Sequence, residues 1–224
     1  HCKLGRVSAE HYDKIADIAD PGIVTADRVD EIEMETRHDI MALTKAMAEV
    51  AGEAGWCIHL GATSNDIVDS AVALQIKDSL KLQIETTSIL IKTMCDIAER
   101  ERNTVMLGRT HGQAAVPITF GLKVAVWVDE FRRHMERLDE LTPRVITGKF
   151  LGAVGTGAAQ GEMAFELQEL IMSNLGLQTP MATTQVVGRD RYIEWVGWMA
   201  NVATSIEKIL QEVNSHLFYI LLLF

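Results

Sequence analysis

Cysteine is scarce in this chain of 224 residues: there are three, Cys2, Cys57 and Cys95. Their odd number and wide spacing exclude a disulfide framework and the close pairing of a zinc site, and read as reduced thiols of a cytoplasmic protein. Proline is also sparse, with four residues, and neither proline nor glycine interrupts residues 62–107. Basic residues are outnumbered, 21 Lys and Arg against 31 Asp and Glu, for a formal charge of −10. Without a basic stripe, that balance excludes the electrostatic footprint of nucleic-acid binding. No apolar run approaches the ~18–20 residues that span a bilayer. The C-terminal run Leu217 to Phe224 has eight, and reads as a surface buried against a neighbouring subunit or as the mark of a truncated chain. The start lacks a basic segment followed by an apolar one, so no signal peptide is visible. His1 is not an initiator residue, which implies further residues upstream.

What is present is a helical chain, 48% hydrophobic and therefore neither disordered nor fibrous. A short helix is expected from about Ser8 to Ala19, stopped by Pro21-Gly22, and Thr25 suits the N-cap of the next. From Asp39, Ile40, Leu43, Met47, Val50 and Ala51 form a one-faced stripe. The unbroken stretch after Ala62, with Ser64 as N-cap and Ile67, Val68, Ala71 and Leu74 inward, predicts one helix of roughly 35–40 residues, about 55 Å long. A second long helix is expected from Pro117 to about Leu141, with Leu122, Val126, Phe131, Met135 and Leu138 inward and Thr142-Pro143 ending it. A third covers about Glu162 to Asn174 with Gly176 as its C-cap. A fourth runs from about Asp190 towards Asn214. No segment sustains a period of two, so the fold is all-α, and helices this long imply a bundle.

Several stretches carry chemistry. Gly108-Arg109-Thr110-His111-Gly112-Gln113 joins the two longest helical segments, where His111, flanked by a hydroxyl and a glycine, can face a cleft; the simpler reading is a helix–helix turn. Thr63-Ser64-Asn65-Asp66 gathers hydroxyls and N–H groups at the positive end of the longest helix, a place for a carboxylate or phosphate, or simply an N-cap. His38 stands beside Asp39, which can fix its tautomer. His59 reads as a structural donor and His134 as a solvated or packing residue. Gln185 and Arg189-Asp190-Arg191 occupy a polar loop before a helix. The run Gly148, Gly152, Gly155, Gly157, Gly161 misses dinucleotide and P-loop spacings and suits close packing or a mobile loop. No His or carboxylate pair has metal-ligand spacing.

Taken together, Thr36-Arg37-His38-Asp39, Gly61-Ala62-Thr63-Ser64-Asn65-Asp66, Gly108 to Gln113, Pro117 to Lys123, Gly152 to Thr156 and Gln185 to Arg191 resemble the aspartase/fumarase superfamily over nearly all of residues 36–210. Within it, Arg109-Thr110-His111-Gly112-Gln113 looks like the adenylosuccinate lyase branch; argininosuccinate lyases and fumarases usually read Thr-His-Leu-Gln there, and carboxymuconate cycloisomerases usually lack the histidine. The resemblance implies a long antiparallel bundle, with residues 1–62 a partial N-terminal helical domain and 63–224 a partial central bundle, in a homotetramer with shared active sites. It implies cofactor-free β-elimination on a small purine nucleotide substrate, adenylosuccinate or its ring-opened carboxamide counterpart, with fumarate as product. His111 becomes the general acid, Thr63 and Ser64 hold a succinyl carboxylate, Thr110 and Gln185 contact substrate, and His38 with Asp39 supports the nucleotide side. No metal or cofactor is implied, and neither nucleic acid nor membrane is a partner.

The family's general base, a serine in a Ser-Ser-x-Met-Pro-x-Lys-x-Asn loop, is not among these 224 residues, nor is an N-terminal Arg-Tyr pair that binds substrate phosphate. After about Leu210 the pattern departs from the family. The resemblance therefore implies a chain without the C-terminal domain and with little lyase activity alone. The competing expectations are another superfamily lyase, a carboxymuconate cycloisomerase, or a non-catalytic helical-bundle assembly protein.

Overall fold

A computed structural model describes residues 1–221, with side chains to Ser215; the side chains of the apolar run from Leu217 lie outside the described residues. Seven helices are present in this range: α1 (Ala9–Ile18), α2 (Ala26–Thr36), α3 (Asp39–Ala51), α4 (Ser64–Arg100), α5 (Phe120–Val145), α6 (Ala164–Leu175) and α7 (Asp190–Leu221). Strands β1 (Val105–Thr110) and β2 (Gln113–Thr119) separate α4 from α5. Two 3-10 segments, Gly52–Cys57 and Ala158–Met163, complete the path.

The chain divides into two compact units. One comprises His1–Leu74 with Thr147–Gly188, the other Gln75–Ile146 with Arg189–Phe224. In the first, Ser8 caps α1 by accepting from His11 N, and Thr25 caps α2 by accepting from Arg28 N. Small apolar cores form around Ile18, Ala51 and Ala54 and around Ile32, Ala42 and Ala46. Gly176 ends α6 in the left-handed conformation, as a C-cap glycine should.

In the second unit, α5 buries Val124, Trp127, Phe131, His134, Leu138, Leu141 and Val145. These alternate at spacings of three and four, the seam of a helix packed in a bundle. Met94 of α4 joins Val124, Trp127 and Phe131 in one core, with Val202 and Ile209 of α7 against it. Of the expected stripe, Phe131 and Leu138 are buried, whereas Leu122 and Val126 are exposed. Pro143 does not end α5, which continues to Val145. Arg144 and Glu194 then clasp the end of α5 to the first turns of α7, and Arg191 donates to the Arg144 carbonyl at 2.6 Å. That hydrogen-bonded pairing lowers the Glu194 titration and raises that of Arg144.

The largest departure from expectation is the stretch before α5. Pro117 does not start a helix; it lies in β2 opposite Leu107, in an antiparallel ribbon with an irregularity between Leu107 and Arg109. Thr119 is the actual N-cap, accepting from Leu122 N. At Gly108 a side chain would collide with the Val116 carbonyl, so the two backbones can approach only with glycine there.

Candidate active site

The first unit gathers three of the chemistry-bearing stretches. At the start of α4, Thr63 occupies the cap position and Ser64 is the first helical residue, so the capping role expected of Ser64 falls one residue earlier. Asp66, in the third helical position, accepts from Thr63 N at 2.8 Å, which is one half of a capping box. The same carboxylate accepts from Leu151 N at 3.2 Å and Gly152 N at 3.0 Å, and pairs with Lys149 Nζ. Both Lys149 and Asp66 are inaccessible to solvent. Lys149 Nζ also lies 3.4 Å from the Gly152 carbonyl.

One turn on, Asp69 accepts from Val187 N at 2.8 Å and Ser70 is bonded to Lys149 N at 3.3 Å. The inner face of α4 is therefore polar at its start: Asp66, Asp69 and Ser70 are buried, whereas Ile67 and Ala71, expected inward, are exposed. The carboxylates are inside because the glycine-rich segment and the loop before α7 supply N–H donors and an ammonium. Gly155, at φ 78°, sits where a side chain would strike the Thr183 carbonyl. The glycine run is thus a packing segment, held by α4 on one side and by the loop carrying Gln185 on the other.

His38 caps α3. Its Nδ1 accepts from Met41 N at 3.4 Å, and its Nε2 stands 3.2 Å from Ser64 Oγ. Asp39 Oδ1 also lies 3.2 Å from Nδ1 and accepts from Ile40 N at 2.7 Å. The cap bond of α3 calls for the ring hydrogen on Nε2 and the carboxylate draws it to Nδ1, and the Ser64 hydroxyl, which both donates and accepts, fits either tautomer. Gln185 is exposed on a loop fastened through Val187 and through Thr183 Oγ1, which donates to the Val186 carbonyl at 2.9 Å. His59, read as a structural donor, takes a left-handed φ of 64°, and its buried Nε2 has no hydrogen-bond partner among the described residues.

Thr110 and His111 belong to the second unit. His111 and Gly112 form the two-residue turn of the β1–β2 ribbon with φ of 52° and 74°, the left-handed pair that matches the twist of a tight hairpin. Both Thr110 and His111 are exposed. Arg109 donates to the Gly112 carbonyl at 3.2 Å and braces the turn. His134, expected to be solvated or packing, is 1% exposed and hydrogen-bonded within the bundle.

Lys149 and the burial of Asp66 and Asp69 were not foreseen. The signal was Lys149 itself, a lone cation beside the apolar pair Phe150-Leu151, which needs a buried anion if that segment packs inward. Among the described residues, no group of three or more His, Cys, Asp or Glu side chains could hold a metal ion, and no helix is long and apolar enough to cross a membrane.

The arrangement offers hydroxyls, one of them held by the His38 ring, and first-turn N–H groups of a 37-residue helix, suited to an anionic oxygen. The hairpin offers an exposed imidazole suited to proton transfer. A family model described as "Lyase" matches residues 1–216. The adenylosuccinate lyase of Pyrococcus abyssi is 46% identical over 96% of this chain and 48% of its own length. An N-acetyl-S-(2-succino)cysteine lyase of Enterococcus italicus is 36% identical over 94% of this chain and 46% of its own length. Among solved structures, a fumarate lyase from Mesorhizobium sp. BNC1 superposes with a TM-score of 0.88 at 34% identity, covering 96% of this chain and 51% of that one. A 3-carboxy-cis,cis-muconate lactonizing enzyme from Pseudomonas putida superposes with a TM-score of 0.84 at 30% identity, over 94% of this chain and 48% of that one. The chain spans about half the length of the curated relatives it matches. With the family model covering nearly every residue and the helical fold shared, this chain belongs to the lyase family.

Proposed function

We propose that the protein is an adenylosuccinate lyase, splitting adenylosuccinate into AMP and fumarate, and the ring-opened succinyl-carboxamide ribotide into its amide and fumarate, as a cytoplasmic enzyme of purine biosynthesis. The observation that carries this reading is the start of α4, where the hydroxyls of Thr63 and Ser64 stand at a helix N-terminus with the His38 ring against Ser64. A succinyl carboxylate bound there meets the positive end of the helix. When a base removes the Cβ proton, the electron pair is delocalised into that carboxylate as an aci-carboxylate, and the same donors stabilise the added charge. The Cα–N bond then breaks, the pair becomes the double bond of fumarate, and His111 gives its proton to the departing nitrogen. Thr110 and Gln185 contact the substrate, and His38 with Asp39 supports its nucleotide side. The base comes from residues outside these 224.

Assembly as a homotetramer with shared active sites is part of the same reading. It is supported by apolar side chains exposed along the long helices, among them Leu82, Ile89, Ile193, Val196 and Leu210, which a second bundle would cover. A second lyase reading is favoured by the relative named for a succinylated cysteine, because a succinyl carboxylate would be held in the same way. A substrate panel separates these possibilities. The full-length protein is expected to release fumarate from adenylosuccinate and not from argininosuccinate or N-acetyl-S-(2-succino)cysteine, and to leave carboxymuconate unchanged. Turnover of one of the others in preference to adenylosuccinate overturns the assignment. Tetramers that bind none of the four point to an assembly role.

A further inference from the structure

The second unit contains a polar array, buried at its centre and exposed at its two cationic ends, that the elimination chemistry does not use. His134 of α5 and Ser205 of α7 are 1% and 3% exposed. His134 Nε2 lies 2.8 Å from Ser205 Oγ, and Ser205 Oγ donates to Glu130 Oε1 at 2.5 Å. Lys208 pairs with the other oxygen of Glu130. On the far side of the ring, the Arg137 guanidinium is 3.3 Å from Nδ1. The Trp198 indole donates to the His134 carbonyl at 2.8 Å.

The directions in this array follow from the groups themselves. Arginine and lysine only donate, and a carboxylate only accepts. Arg137 therefore needs a lone pair on Nδ1, so the ring hydrogen is on Nε2 and goes to Ser205. The Ser205 hydrogen then goes to Glu130, and the chain is closed by Lys208. While His134 is neutral, the two buried members, His134 and Ser205, find all their partners within the array. A proton on Nδ1 would turn its acceptor into a donor facing Arg137 and place a second cation beside it.

We propose that His134 makes the fastening of α7 to α5 sensitive to pH, tight at neutrality and loosened when the ring is protonated. The charged groups that act most strongly on the ring are Arg137, Glu130 and Arg133 of α5 and Lys208 of α7, and of these Glu130 opposes the cations. Burial, followed by Arg137, holds the His134 titration below the ordinary histidine range. Lys208 and Ser205 hold Glu130 below the usual carboxylate range, so it stays ionised where the histidine titrates.

The sign follows directly. Above the unfolded histidine value, about 6.5, the ring is neutral in both states and the array contributes fully. Below it the unfolded chain takes up a proton that the folded chain resists, so stability falls with pH until the lowered folded value is reached. Urea unfolding of the full-length protein, followed by tryptophan fluorescence between pH 8 and 5, tests this beside the ring titration of His134 by NMR. In the wild type the unfolding constant is expected to rise by up to about tenfold per pH unit through this window, the slope of one proton. His134→Gln, which keeps a donor for Ser205, removes that component, and Arg137→Gln raises the ring's midpoint and narrows the window. The protection of α7 amides around Ser205, measured against the intrinsic exchange rate at each pH, is expected to fall over the same range in the wild type only. An unaltered pH slope in His134→Gln overturns the proposal. If that variant does not fold, a His134 midpoint unmoved by Arg137→Gln does so.

Discussion

Replacing His111 with alanine in the full-length protein is expected to lower kcat for adenylosuccinate by about 10²–10⁴-fold, the range a positioned general acid supplies, with little change in KM. The residue is exposed at the tip of the β1–β2 ribbon, and the left-handed turn at His111-Gly112 presents its ring away from the strands. No packing is lost on truncation there, so the melting temperature should hold. The kinetic pattern then separates chemistry from binding: an interaction made mainly in the transition state lowers kcat without raising KM. A loss confined to KM would make His111 a substrate contact and leave the proton donor elsewhere. Unchanged turnover would remove it from the mechanism.

Lys149→Met is expected to destabilise the first unit by about 3–5 kcal/mol, because it leaves a buried carboxylate without its cation. Asp66 is wholly enclosed and has no solvent to turn to; its remaining partners are the backbone N–H groups of Thr63, Leu151 and Gly152. Asp66→Asn should cost a similar amount by stranding the ammonium. The double variant Asp66→Asn/Lys149→Met should lose less than the sum of the two, since neither charge is then left alone. Urea unfolding measures all three. A single-variant loss under about 1 kcal/mol, the range of exposed pairs, would show that water reaches the pair. Because Asp66 also ties the glycine-rich segment to the start of α4, these variants should lose activity at temperatures where they are still folded.

The helices and several of their ends were legible because capping residues and apolar spacing act locally, whereas both ends of α5 lay three or four residues from where the pattern put them. Ser8, Thr25 and Gly176 stand where the pattern placed them. The ribbon was not legible. Its turn is His-Gly rather than the Asn-Gly or Asp-Gly that marks such hairpins, its strands do not alternate, and Pro117 reads equally well as the first residue of a helix. On α4 the apolar stripe pointed to Ile67 and Ala71, one or two residues away from the face that is buried. Position 66 is inside because Lys149, 83 residues further on, neutralises it, and no local pattern reports so distant a partner. Of the site, the hydroxyl-bearing helix start and His38 were visible as separate motifs, and their meeting at Ser64 appears only in three dimensions.

The most direct test of the account is kcat/KM for adenylosuccinate in the full-length protein carrying Thr63→Val beside the wild type. Valine keeps the branched shape of Thr63 and removes the hydroxyl offered to the developing aci-carboxylate, and a thermal melt of the variant reads any separate cost at the cap position. A fall of about 10²–10³-fold, the cost of losing one preorganised donor to such a charge, with fumarate still the product, is the predicted result. An unchanged kcat/KM would mean that the start of α4 does not hold the succinyl group, and the lyase site would have to be sought elsewhere in the protein.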